Sequence, residues 1–304
     1  MQPPAPAPRH YPRISDLKHS TLKAARVRTL TGTGMPAGAT VGSAAELLDG
    51  VLPLSACECP PYAKWARLNV SAADGTFAAI PVAIHHKNDI VSQHIEKFGV
   101  WERKLVEVLL AAAAPRGTII DIGANLGAIT ISLAAAGRDV LAIEPMSMNR
   151  EMLKASVCRN PALARRVTVA AVALGTAEQS GTECLLFSTI GNRGNNNLEC
   201  GPNKTAPTGW RLRGVVPMRT LEQVHQEAGA PAIAALKIDV EGFECSALSG
   251  MPDLIHRVPA LLSEVTHPAS AKCIEELAVE GGYTSTPVDS SEPGGGEMLL
   301  QKSL

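Results

Sequence analysis

Aromatic residues are scarce in this chain, at 3% of 304 residues, and the tryptophans are only Trp65, Trp101 and Trp210. Basic excess is missing as well: 28 Lys and Arg stand against 29 Asp and Glu, a formal net charge of −1. A nucleic-acid surface wants both stacking rings and a positive field, so nucleic acid is not an expected partner. No apolar run is long and charge-free enough to span a bilayer. The seven cysteines, Cys57, Cys59, Cys158, Cys184, Cys200, Cys245 and Cys273, form no CxxC pair and no Cys/His ligand spacing. That pattern excludes a structural zinc site, and the cysteines read as buried small apolar groups or free thiols. Both common phosphate cradles are absent: no Gly-Lys-Ser/Thr occurs after a glycine turn, and no complete G-x-G-x-x-G.

A hydrophobic content of 45% and a length of 304 residues are enough for a sizeable core. The basic, proline-rich start (residues 1–16, with Arg9 and Arg13) reads as disordered, and it lacks the apolar core of a secretory signal. Residues 1–61 are read as tail and linker, partly disordered, and 62–304 as one compact domain. The sequons at Asn69 and Asn203 would matter only in a secretory lumen. The compartment stays open, with the cytoplasm ahead of an organelle or lumen; oligomeric state is not legible.

The chain is organised around residues 117–145, GTIIDIGANLGAITISLAAAGRDVLAIEP. A short β-branched run ends at Asp121, a turn carries Gly123 and Gly127, an apolar helix follows, and a second buried strand ends at Glu144-Pro145. Such a β-α-β unit presents its turn where open α/β sheets bind nucleotides. The glycine places of the dinucleotide fingerprint hold Gly123, Asn125 and Ala128, so the middle glycine is missing. Asp121 at the mouth opposes phosphate and suits a cation, and Glu144 is placed to accept ribose hydroxyls. Two acids without a phosphate cradle favour S-adenosylmethionine (SAM), which carries a sulfonium and an ammonium, over NAD. Asp121, Gly123, Asn125, Gly127 and Glu144 are the expected cofactor contacts. Glu102 is placed either at the cofactor amino group or as a solvated acid in the first turn of a helix.

Around this unit, Asp74-Gly75 predicts a hairpin between strands near 66–70 and 76–84, with Pro81 on an edge. One helix is expected over 93–114, and strands over 166–174, 182–188, 212–218, 234–240 and 260–265. Residues 175–207 are otherwise read as loop, lying either over a substrate pocket or free in solvent. A closing antiparallel hairpin is expected at 283–288 and 297–302. Five alternating strands and a terminal hairpin make a mostly parallel, seven-stranded α/β sheet.

DIGANLGAIT, AIEPMSMN, VALG, TLEQV, LKIDVEGFE and LLSEV occur in that order. Together they resemble the FkbM-type SAM-dependent methyltransferases, from about residue 89 to 265. The resemblance implies a class I, Rossmann-like methyltransferase fold and methylation of an oxygen, usually a hydroxyl of a sugar or natural-product-like small molecule. One departure is Leu221-Glu222 where the family commonly has Leu-Asp.

Methyl transfer to oxygen needs alignment and removal of one proton. The candidate bases lie where the later strands end: Asp239, Glu241, Glu264 and His267. Lys237, Asp239 and Glu241 would share a face of an extended strand. Lys237 would hold the carboxylates ionised, steady a developing alkoxide, or serve as a structural ion pair. Metal assistance by Asp239, Glu241 and Glu264 is a lesser alternative, and no metal is expected. Two rival functions remain: a SAM-binding scaffold without activity, and an NAD(P)-dependent oxidoreductase. Against the latter stand the missing glycine and the lack of a Tyr-x-x-x-Lys pair.

Overall fold

The fold is described from a computed structural model covering residues 60–87, 89–189, 196–200, 208–265, 268–288 and 296–302, without the side chains of 268 and 269. The tail read from residues 1–59, and His267, lie outside the described residues.

A hairpin comes first, β1 (Ala63–Ser71) and β2 (Phe77–His85), paired from Ala63↔His85 to Ser71↔Phe77. Gly75 takes φ 80° at its tip, and Asp74 Oδ1 accepts from the Thr76 N–H at 2.9 Å. Pro81 sits opposite Arg67 in a sheet of only two strands, where no second neighbour needs its missing N–H.

The single helix expected over 93–114 is two, α1 (Ile90–Phe98) and α2 (Arg103–Ala112). Gly99 ends α1 in the left-handed region at φ 69°, and Glu102 precedes α2 at φ 41°. The amphipathic period survives the break, so a helical pattern alone does not reveal it.

Then follow β3 (Thr118–Ile122), α3 (Ala128–Ala135), β4 (Asp139–Ile143), α4 (Ser147–Cys158), the short α5 (Pro161–Ala164) and β5 (Val167–Ala170). The strand expected over 166–174 breaks here. Its end becomes β6 (Ala173–Leu174), which pairs in a second sheet with β7 (Glu183–Thr189), β8 (Asn196–Cys200) and β9 (Trp210–Arg219) in the order β6-β9-β7-β8. Helix α6 (Leu221–Glu227) opens with a capping box between Thr220 and Gln223. After it come β10 (Ile233–Ile238), α7 (Glu244–Ser249), β11 (Ala260–Glu264), α8 (Pro268–Gly281), β12 (Tyr283–Val288) and β13 (Glu297–Lys302). Glu222 Oε1 accepts from the N–H groups of Asp253 and Leu254 at 2.9 and 3.2 Å, so the departure from Leu-Asp secures the turn before β11.

The main sheet has the order β12-β13-β11-β10-β3-β4-β5, parallel except where β13 pairs with β11 and β12. This is the class I methyltransferase arrangement that the sequence led us to expect. Alternation divides each strand between two cores. Ile119 and Ala235 face the core shared with Leu105, Leu109 and Leu153, while Ile120, Leu236 and Ile238 face the core of Leu221, Leu248 and Leu261. No helix among the described residues is long and apolar enough to cross a membrane.

The reading of the cysteines as thiols is corrected. Cys184–Cys200 and Cys245–Cys273 are disulfides, and Cys158 is disulfide-bonded too. Cys184 and Cys200 stand directly opposite in the β7–β8 register, and the second bridge ties α7 to α8. The partners are 16 and 28 residues apart, and only the folded register brings them together.

Candidate active site

The C-terminal edge of β3, β4 and β10 carries the short loops that lead into α3, α4 and α7. Two cavities open there, one on each side of the loop that follows β3. They share Gly123, Asn125, Asp239 and Glu241. One, of about 90 Å³, is mainly apolar, with Ile122, Ile143, Val172, Leu174, Leu186, Leu198 and Phe243 around the carboxylate of Glu144. The other, of about 200 Å³, is acidic, with Glu102, Asp239, Glu241, Glu264 and Lys237 beside Trp101.

The loop 123–127 is held by its neighbours. Gly123 and Ala124 donate to the carbonyl of Ile143 at 2.9 and 3.1 Å. A side chain at Gly123 (φ +78°) would place its Cβ 1.8 Å from the carbonyl oxygen of Asp239, and one at Gly127 (φ +93°) would meet Leu153 at 2.3 Å. The glycines therefore answer first to the packing of β10 and α4. Gly123 lines both cavities, whereas Gly127 does not appear in either lining. Asn125 sits at φ 53°, and its N–H donates to Glu144 Oε2 at 2.8 Å.

Glu144 is buried at the end of β4. Its Oε1 accepts from the Met146 N–H at 2.8 Å and from Asn149 Nδ2 at 3.5 Å. Burial pushes its carboxyl up, and the bonds from Met146 and Asn125 pull it back. Asn149, a cavity residue the sequence did not single out, is held in turn by His85, whose Nε2 lies 2.8 Å from Asn149 Oδ1.

Asp121 does not reach the cofactor side as expected. It is fully buried; Thr130 Oγ1 donates to its Oδ2 at 2.6 Å, and Lys237 Nζ lies 3.4 Å from its Oδ1. The parallel register pairs Lys237 with Asp121 on the face of β3 and β10 that also carries Ile119 and Ala235. From there the ammonium donates to the Gly123 carbonyl at 3.2 Å and to Asp239 Oδ2 at 3.5 Å. Burial alone would lower the Lys237 pKa. Asp239, Asp121 and Glu102 outweigh it and hold the ammonium above the usual lysine range. Lys237 is thus a fixed cation linking the buried Asp121 to the partly open Asp239.

The shared strand face expected for Asp239 and Glu241 does not form. Strand β10 ends at Ile238, and Glu241 turns left-handed at φ 54°. Both residues still line both cavities, because the turn replaces the pleat. Glu244 organises that turn: its Oε1 accepts from the N–H groups of Val240 and Gly242 at 3.1 Å, and Ser270 Oγ donates to its Oε2 at 2.6 Å.

Glu102, at the start of α2, lines the acidic cavity because α1 and α2 are separate. Burial, then the charge of Asp239, raises its pKa to about 7. Burial followed by Asp239 and Glu244 raises Glu241 to about 7. Trp101 lines the acidic cavity, braced edge-on by His94 at 5.4 Å between ring centroids, while Trp65 lies under Arg159. Among the described residues, no group of three or more His, Cys, Asp and Glu side chains is arranged to hold a metal ion.

The inserted sheet adds further residues that sequence reasoning missed. Leu186, Asn196 and Leu198, from β7 and β8, wall the apolar cavity. The expected strand over 182–188, with Cys184, Leu186 and Ser188 on one buried face, therefore lies over the site, and so does β8, from the stretch read as loop.

Solved structures with similar folds include a precorrin-6y C5,15-methyltransferase from Geobacter metallireducens GS-15, with 10% identity, TM-score 0.40, and 66% of this chain and 89% of that one covered. An rRNA methylase from Streptococcus thermophilus gives 10% identity, TM-score 0.41, and coverage of 66% and 95%. No curated protein matches the chain. The sequence does match the methyltransferase FkbM domain over residues 121–286. That match begins at the buried acid of β3, ends within β12 and takes in more than half of the chain, so the protein belongs to the FkbM methyltransferase family.

Proposed function

We propose that the protein transfers a methyl group from SAM to a hydroxyl of a sugar or natural-product-like small molecule, with Asp239 as the base. The observation that carries this reading is Asp239 itself, on the rim shared by both cavities and 3.5 Å from a buried lysine.

The residues fit the cofactor. Glu144 keeps acceptor capacity for a ribose hydroxyl beside apolar walls suited to a purine, and its buried carboxylate gains from such a donor. On the other side, Glu102, Asp239 and Glu241 give a lining that opposes phosphate and suits a sulfonium and an ammonium. When bound, SAM supplies an activated methyl group. The chain's part is to hold the acceptor oxygen in line, exclude water and take up the hydroxyl proton at the Asp239 carboxylate. The Lys237 ammonium, 3.5 Å away, holds that carboxylate in place as an ion-pair partner. Trp101 offers the cavity's one tryptophan face to the carbon side of a sugar ring, and the surrounding carboxyls accept its hydroxyls.

Incubation of the full chain with methyl-labelled SAM and a panel of glycans, glycosides and hydroxylated small molecules tests this. Label is expected in an ether-linked methyl group. Label found solely on nitrogen or carbon acceptors would overturn the assignment to oxygen.

A further inference from the structure

Glu264 ends β11 on the rim of the acidic cavity, whose lining it shares with Asp239. Two neighbouring carboxyls can share a hydrogen bond only if one carries a proton. The surroundings decide which. Asp239 has the Lys237 ammonium 3.5 Å away as its ion-pair partner. Glu264 stands directly opposite Glu297 in the antiparallel pair of β11 and β13, a like-charge position that disfavours two ionised groups. Its Oε2 is buried and has no hydrogen-bond partner among the described residues, so a proton shared with a neighbouring carboxyl would satisfy it. The other charged groups around it are Glu241 and Glu244, beyond the end of β10, and Glu102 at the start of α2, all acidic. Lys237 is already engaged by Asp121, Asp239 and the Gly123 carbonyl.

We propose that Glu264 is a positioning residue: as a neutral carboxylic acid it donates a hydrogen bond to Asp239 and fixes that carboxylate between itself and Lys237. This rests on the reading of Asp239 as the base. The proton transferred in the reaction is the acceptor's own. It moves from the hydroxyl to the oxygen of Asp239 not bound by Glu264, while the new O–CH₃ bond forms and the S–CH₃ electron pair stays on sulfur. Glu264 keeps its proton throughout. Burial, then the charge of Asp239 and the bond to it, raise the Glu264 pKa to about 9, in keeping with a neutral group at physiological pH.

The test compares wild type, Glu264→Gln and Glu264→Leu as full chains, by pH profiles of kcat and by infrared spectra of protonated carboxyls. In wild type, kcat is expected to fall as pH rises through about 9, where Glu264 ionises and the two carboxylates repel. Glu264→Gln retains an N–H donor that does not ionise, so it should keep kcat within a few-fold and lose that alkaline fall. Glu264→Leu should lose about ten-fold or more in kcat at every pH, with KM for SAM little changed. A protonated-carboxyl band present in wild type at about pH 8, where Glu102 and Glu241 are mostly ionised, should be missing in Glu264→Gln. Equal losses in the Gln and Leu variants, or an unchanged infrared band in Glu264→Gln, would overturn the proposal. Should Glu264→Leu fail to fold, the Gln variant and the band still decide. The band reports the Glu264 proton whether or not methyl transfer occurs, so its absence counts against this proposal, while absence of transfer counts against the functional reading.

Discussion

Asp239→Asn is expected to slow methyl transfer by about a hundred- to ten-thousand-fold while leaving SAM affinity within a few-fold. Asparagine keeps the shape of the side chain and an oxygen for Lys237, but it cannot take a proton from a hydroxyl at neutral pH. The loss should fall on kcat, because the interaction removed matters only as the hydroxyl proton leaves. Single-turnover transfer of labelled methyl groups, beside a binding titration, separates the two. Transfer at the wild-type rate would remove Asp239 from the role of base. A parallel collapse of SAM affinity would instead make Asp239 a cofactor ligand, which its place on both cavity linings permits.

The second large effect is on stability. Lys237→Met should destabilise the fold by about 3–5 kcal/mol, the range seen when one partner of a buried ion pair is removed. Lys237 has 5% side-chain exposure and Asp121 none, so the aspartate would be left charged and without its cation, or forced to take a proton. The double variant Asp121→Asn/Lys237→Met should recover part of the loss, since it removes the stranded charge together with its partner. Urea unfolding at neutral pH measures both. A cost below about 1 kcal/mol for Lys237→Met would mean that the pair does not anchor β3 to β10.

Much of this arrangement can be read from residues alone, for definite reasons. Strands buried on both faces, such as β3, β4 and β10, announce themselves as β-branched and aliphatic runs, and the acid at the end of each marks the sheet edge where ligands bind. Local chemistry is legible too: the turn at Asp74-Gly75 and the cap at Thr220 depend on neighbours in sequence. What escaped depends on neighbours in space. Asp121 looked like a ligand because it ends a strand, but the register with Lys237 turns its carboxylate inward. Glu241 appeared to continue a strand that stops at Ile238. In the insert after β5 the strands over 182–188 and 212–218 are legible, but β8 falls in the stretch read as loop and β6, with only two residues, reads as the end of the strand before it, so the separate sheet they form is not. The break at Gly99 was hidden by a helical period that runs across it, yet that break carries Trp101 and Glu102 to the cavity. The disulfides were invisible because cysteine spacing says nothing about strand register.

The most direct test of the account is a calorimetric titration of the full chain with SAM, S-adenosylhomocysteine and NAD. The apolar cavity around Glu144 should take the adenosine of the first two alike. The acidic cavity favours a cation, so SAM should bind as one equivalent and more tightly than S-adenosylhomocysteine, whose sulfur is uncharged. NAD, whose pyrophosphate would face Glu102, Asp239 and Glu241, should not bind. Binding of NAD with no heat from SAM would contradict the account.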